Sequence, residues 1–127
     1  MKKEYVVHKG SKYTIEWYFD VRGKSIAYDY FDALSFIQQK KLFHLLVTMG
    51  EVGKIFNSEK FVYEGDEIYA FKPSPDRFLC FFSKGAKIII TNAYEKKSQK
   101  MPPREKDRAL KYQDDYIKRV KEGVYYE

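Results

Sequence analysis

Residues 88–110 read IIITNAYEKKSQKMPPREKDRAL, and the stretch changes character halfway. An apolar run that reads as a buried strand passes into a polar, basic turn, halts at Pro102 and Pro103, and restarts as a charged segment. Proline suits the first turn of a helix, where the amide it lacks would have no partner and its fixed φ is already helical. Glu105 and Asp107 stand near the start of this segment, and Lys118, Arg119 and Lys121 stand near its end. Acids at the start and bases at the end complement the helix dipole, so the pattern predicts a helix over residues 103–120. The cations at the junction, Lys96, Lys97 and Lys100, are not needed for that helix and ask for another explanation.

Upstream of the junction the texture is β-like back to Gly53. RFLCFF (77–82) and AKIIITNAY (86–94) are apolar runs joined by the Lys84-Gly85 turn, as expected of strands in a sheet centre covered on both faces, or on one face and an edge. KFVYEGDEIYAFK (60–72) suggests two more strands around Glu64-Gly65-Asp66, since glycine takes the positive φ of a tight turn, and Pro73-Ser74-Pro75-Asp76 breaks the chain after them. Further back, KYTIEWYF (12–19) alternates with the period of a half-buried strand. A short helix is predicted from Ser25, with Asp32 and Ser35 as candidate caps around a break, and a second over 36–49 closed by Gly50. The predicted order is β, α, α, β, β, β, β, α: an α+β domain in which a small twisted antiparallel sheet carries an N-terminal helical hairpin and a C-terminal helix on one side.

A chain of 127 residues with 44% hydrophobic residues and few Gly or Pro is read as one packed domain over residues 1–127. MKKEYVVHKG lacks the apolar run of a leader and no stretch approaches the length of a membrane span, so a cytoplasmic, membrane-free location is expected. Cys80, alone inside FLCFF, reads as a small buried hydrophobe. The net charge is +6, and the segment from Glu95 to Lys121 holds ten Lys/Arg against five Asp/Glu, while the rest of the chain nearly balances. Lys and Arg gathered on one element favour a polyanionic partner, because they displace the counterions condensed on phosphates. A merely solvated basic helix has the same charge.

Serine-hydrolase, nucleotide-loop and zinc-protease motifs are absent, and the two histidines, His8 in the N-terminal tail and His44 on the polar face of the second helix, do not form a pair. What is present is a set of cations at strand ends. Lys72 ends the third strand, Arg77 opens the fourth, and Tyr94, Lys96, Lys97 and Lys100 lie where the last strand exits. With Tyr69 and Tyr94 among them, these residues suit RNA, because cations hold phosphates and aromatic faces stack on unpaired bases. Spacing alone is equally compatible with hairpin charges that keep a sheet edge soluble.

The same residues resemble the RelE/HigB superfamily of toxin–antitoxin systems, in its HigB-like, phage-derived branch. The closing stretch is similar to a family pattern close to hGFxKKxQKTPxxEIxxA, with Tyr94 at the aromatic, Lys96 and Lys97 at the double lysine, Gln99 and Lys100 at the QK pair, Pro102, Glu105 and Ala109. EIYAFKPSPDRFLCFF resembles the family's LYELR hairpin and YRILYF strand, with Lys72 and Arg77 at the two arginines. The resemblance runs over roughly residues 12–120. Lys72 stands for the usual arginine, Ala70 for an acid, Asn92 for a frequent histidine and Met101 for the usual threonine.

The resemblance implies a small endoribonuclease that cuts messenger RNA, commonly on the ribosome, and is held inactive by a cognate helix-turn-helix antitoxin, with neither metal nor cofactor. Attack by the ribose 2′-hydroxyl needs a base, cations for the charge growing on the phosphoryl oxygens, and an acid at the leaving oxygen. Arg77 is then the phosphate clamp, since its fork grips two oxygens. Lys72 and Lys97 are candidate base or acid in either order, and Tyr94 stacks on a base or orients a proton donor. Tyr69, Asn92, Lys96, Lys100 and Arg104 are candidate RNA contacts. Two alternatives belong to the same resemblance: a catalytically silent protein that binds RNA or its antitoxin, and a ParE-like poison of DNA gyrase.

Overall fold

A computed structural model describes residues 4–127. Met1, Lys2 and Lys3, which open the stretch read as lacking a leader, lie outside the described residues. The elements in chain order are β1 (Val6–Lys9), β2 (Thr14–Trp17), α1 (Ile26–Asp32), α2 (Phe36–Val52), β3 (Phe61–Tyr63), β4 (Tyr69–Phe71), β5 (Asp76–Ser83), β6 (Lys87–Glu95) and α3 (Pro103–Lys121). The strands make one six-stranded sheet in the order β1-β2-β6-β5-β4-β3.

This overturns the expected βααββββα order with an antiparallel sheet. A further strand, β1, pairs antiparallel with β2 at the sheet edge. The sheet is mixed, because β2 runs parallel to β6 from Thr14↔Lys87 to Trp17↔Ile90 while the other neighbours are antiparallel. A parallel pair needs a long crossover between its strands, and here α1, α2 and the β3–β5 meander all lie between β2 and β6. The alternation that marks β2 carries no information about strand direction.

The helices also occupy both faces of the sheet, not one. On one face, Ala27 of α1 and Leu42, Leu45, Leu46 and Met49 of α2 pack on Ile15, Trp17, Phe71, Phe78, Cys80, Ile88 and Ile90. On the other, Ala109 and Tyr116 of α3 pack with Tyr125 on Tyr18, Ala70, Leu79, Phe81 and Ile89. Alternate strand residues serve opposite cores, so the central strands are apolar throughout. Each fully buried leucine contributes about 1.5–3 kcal/mol of transfer free energy.

Ser25 and Ser35 cap α1 and α2 through their hydroxyls, which accept the Tyr28 and Gln38 amides. α2 does not stop at Gly50. It continues to Val52 and is closed by Gly53 in the left-handed conformation, φ 84°. Gly50 is glycine for another reason: its carbonyl accepts the Lys12 and Tyr13 amides, and a Cβ there would come within 2.7 Å of the His8 ring. A Cβ on Gly10 would meet the Gly50 carbonyl carbon at 2.3 Å, so the two glycines let the β1–β2 hairpin sit on the end of α2. No helix among the described residues is long and apolar enough to cross a membrane.

Candidate functional site

The sheet end where β5 begins and β6 finishes carries the cations singled out above. Arg77 pairs with Tyr94 across β5 and β6, and Leu79 pairs with Asn92. The next pair is Cys80↔Ile90, so Thr91 is an extra residue in β6, a β-bulge. Its hydroxyl lies 3.2 Å from the Leu79 carbonyl oxygen and 2.7 Å from Asn92 Oδ1, which fixes the bulge. The consequence is directional. Side chains alternate with period two, so the extra residue moves Asn92 and Tyr94 from the face of Ile88 and Ile90 to the face of α3.

On that face a hollow of about 200 Å³ is lined by Lys72, Arg77, Tyr94, Lys96 and Lys100, together with Glu64, Ser98, Gln99 and Met101. Arg77 is only 9% exposed, and one guanidinium nitrogen donates to the carbonyl of Asp76 at 3.0 Å. Among the described residues no carboxylate lies within ion-pair distance of Arg77, Lys72, Lys96 or Lys100. Lys72 donates to the Ser58 carbonyl at 2.9 Å. Burial holds the Tyr94 phenol above its ordinary pKa, Glu64 adds to the effect and Arg77 opposes it, so at neutral pH Tyr94 is a proton donor. The hollow therefore offers anion-binding groups, one of them a nearly buried guanidinium without a counter-ion, beside a protonated phenol. That combination can hold a phosphodiester.

Other candidates fall elsewhere. Lys97 and Arg104 line an adjoining hollow of about 360 Å³, which shares Tyr94 and Ser98 with the first. Tyr69 stands on the opposite face of the sheet, its ring stacked on Phe61 at 5.4 Å beside Tyr63 and Phe82. Asn92 is wholly buried, and its amide donates to the backbone carbonyl and to Oε1 of Glu105, both at 3.1 Å. It joins β6 to the first turn of α3. Of the histidines, His8 lies in β1 and bonds Glu51 at 2.8 Å, and His44 lines a hollow on α2 with Lys40, Lys41 and Lys60.

The residues that sequence reasoning passed over are those whose role depends on distant pairing. Thr91 re-aims the end of β6, Glu64 enters the hollow from the β3–β4 loop, and Tyr30 of α1 reaches the second hollow with its hydroxyl 2.5 Å from Asp76. Asp76 also accepts from Gln38 at 2.8 Å, so α1 and α2 both hold the residue next to Arg77. No local signal in the sequence marks these three, although Tyr30 and Gln38 share a side chain that does: an acid in the turn that opens a strand. No curated protein matches the chain. Residues 29–114, from α1 to beyond the middle of α3, match the family described as phage-derived protein Gp49-like (DUF891), and because this is more than half of the chain, the protein belongs to that family.

Proposed function

We propose that the protein is the toxin component of a toxin–antitoxin pair and that it acts as an endoribonuclease on messenger RNA, on the ribosome, under the control of a helix-turn-helix antitoxin. Family membership supports the toxin class. The observation that carries the chemistry is Arg77, 9% exposed and unpaired with any carboxylate among the described residues, beside Lys72, Lys96, Lys100 and Tyr94. A guanidinium kept from water without a counter-ion is suited to an anionic ligand that arrives with its own charge.

In this scheme Arg77 grips the non-bridging oxygens of the scissile phosphate, with Lys96 and Lys100 at its flanks. The unprotonated amine of Lys72 takes the proton of the ribose 2′-hydroxyl, the new 2′-O–P bond forms, and the P–O5′ bond breaks to leave a 2′,3′-cyclic phosphate. Tyr94, held in its protonated form, supplies the proton to the departing 5′-oxygen. Inducible expression of the wild type and Arg77→Ala, with RNA 5′ ends mapped soon after induction, tests the scheme. New cuts in translated messages should fall by about 10²-fold or more in the variant, the scale for losing a transition-state donor. Unchanged cleavage in the variant refutes it.

A further inference from the structure

The two hollows at the end of β6 are divided by Tyr94 and Ser98, which line both. The double lysine, just past the end of β6, is divided in the same way: Lys96 lines the first hollow and Lys97 the second. The second hollow differs in chemistry as well as place. Lys97 and Arg104 bring positive charge, Tyr30 and Tyr94 bring rings, and Glu95 brings a carboxylate with no hydrogen-bond or ion-pair partner among the described residues. The other acid there, Glu105, is already engaged by Asn92 and Arg108, with Arg104 at 3.9 Å on its other oxygen.

A nucleotide suits this mixture of cations, rings and a carboxylate, because its phosphate and its base can be met by different groups. We infer that the second hollow is a nucleotide subsite, next along a single strand of RNA from the phosphate at Arg77, in which Lys97 and Arg104 hold the backbone and Glu95 accepts from an exocyclic amino group of the base. This rests on the ribonuclease reading above. A carboxylate only accepts hydrogen bonds, so it favours cytosine, adenine or guanine, which present amino groups, and repels the O4 carbonyl that uracil presents in place of the cytosine amine. Tyr30 and Tyr94, both lining this hollow, supply rings on which an unpaired base can stack. Strand continuity over Tyr94 gives the double lysine a separate duty for each residue, and it moves Lys97 from the chemistry to the neighbouring nucleotide.

The probe is a pair of 5′-fluorescein hexanucleotides, one of cytidine and one of uridine, each 2′-O-methylated so that no attacking hydroxyl remains. Fluorescence polarisation is read with the full chain at several salt concentrations. The cytidine hexamer should bind roughly tenfold tighter than the uridine hexamer, within the range for one good base contact, and Glu95→Gln should erase most of that difference. Lys97→Ala and Arg104→Ala should weaken both hexamers and each lower the slope of log K against log salt by about 1. Both side chains are exposed, and matching melting temperatures verify that the variants fold. If Arg77→Ala weakens binding while Lys97→Ala and Arg104→Ala do not, the subsite is refuted and the ribonuclease reading survives. Equal binding of the two hexamers by wild type refutes the role of Glu95. Absence of binding to either hexamer overturns both readings.

Discussion

Replacing Asn92 by alanine removes two hydrogen bonds, one to the carbonyl of Glu105 and one to its carboxylate, both 3.1 Å long. Neither acceptor turns easily to water, since Asn92 is wholly buried and Glu105 is 6% exposed. A hydrogen bond to a charged group contributes about 1.5–3 kcal/mol and a neutral one about 0.5–1.5, which sets the loss at about 2–4.5 kcal/mol. Arg108 at 3.4 Å and Arg104 at 3.9 Å stay beside the carboxylate, which favours the lower half of that range. For a chain of this size the melting temperature should drop by roughly 8–16 °C at the full estimate. Calorimetry on the wild type, Asn92→Ala, Glu105→Gln and the double variant completes a cycle, with a coupling of about 1 kcal/mol or more expected for side chains in direct contact. Well below its melting temperature the folded Asn92→Ala protein should still bind and cut RNA, because the amide is spent inside the fold. A variant that melts like the wild type yet loses RNA affinity refutes this account and returns Asn92 to the RNA.

Deleting Thr91 removes the extra residue and leaves Asn92 and Tyr94 opposite Leu79 and Arg77 in an unbroken ladder, so the variant should fold and keep RNA cleavage; a folded deletion variant that has lost cleavage contradicts the bulge assignment. Gly10→Ala drives a Cβ to 2.3 Å from the Gly50 backbone, which no rotamer change relieves, and chemical denaturation should show a loss of about 1–3 kcal/mol. At high pH the phenols matter, because burial, as the largest cause, holds Tyr18, Tyr30 and Tyr125 above the ordinary tyrosine range. Above about pH 10 the unfolded chain sheds these protons while the folded chain keeps them, so stability should fall as pH rises. Melting curves from pH 8 to about pH 11 should show this, with a shallower decline for Tyr18→Phe; a flat profile argues against buried protonated phenols.

Much of the architecture was legible where the signal is local. The Pro103 start of α3, the serines that cap α1 and α2, and the turns that separate β3 from β4 and β5 from β6 each act within a few residues of the element they bound. What the sequence hid is long-range. VVHK is too short to announce β1, whose pairing depends on β2, and two glycines near the end of α2 look alike until Gly10 is seen to pack on the first of them. Direction was equally hidden. Alternation gives β2 two faces, yet only the crossover through the helices and the meander makes it parallel to β6. The unbroken apolar runs of β5 and β6 did admit a sheet covered on both faces, and α3 lies on the face opposite α1 and α2.

The site follows a parity rule that the sequence obeys with one exception. Tyr69 opens β4 and Lys72 follows its last residue, an odd number of residues on in extended chain, so they face opposite sides, and only Lys72 reaches the hollow with Arg77. Lys96 and Lys97, the two residues after β6, likewise part between the two hollows. Counted along β6 from Ile88, the same rule would place Tyr94 with Ile88 and Ile90, away from Arg77, and the strand would present Thr91, Ala93 and Glu95 to α3. The bulge at Thr91 reverses the count once, after the core positions and before the exit. A bulge earlier in β6 would move Ile89 or Ile90 out of its core, and one later would leave Asn92 unable to reach Glu105. Position 91 is the place where the register can change while both cores and the α3 anchor keep their partners, and whether that residue is bulged or paired therefore decides whether Tyr94 stands beside Arg77 or behind it.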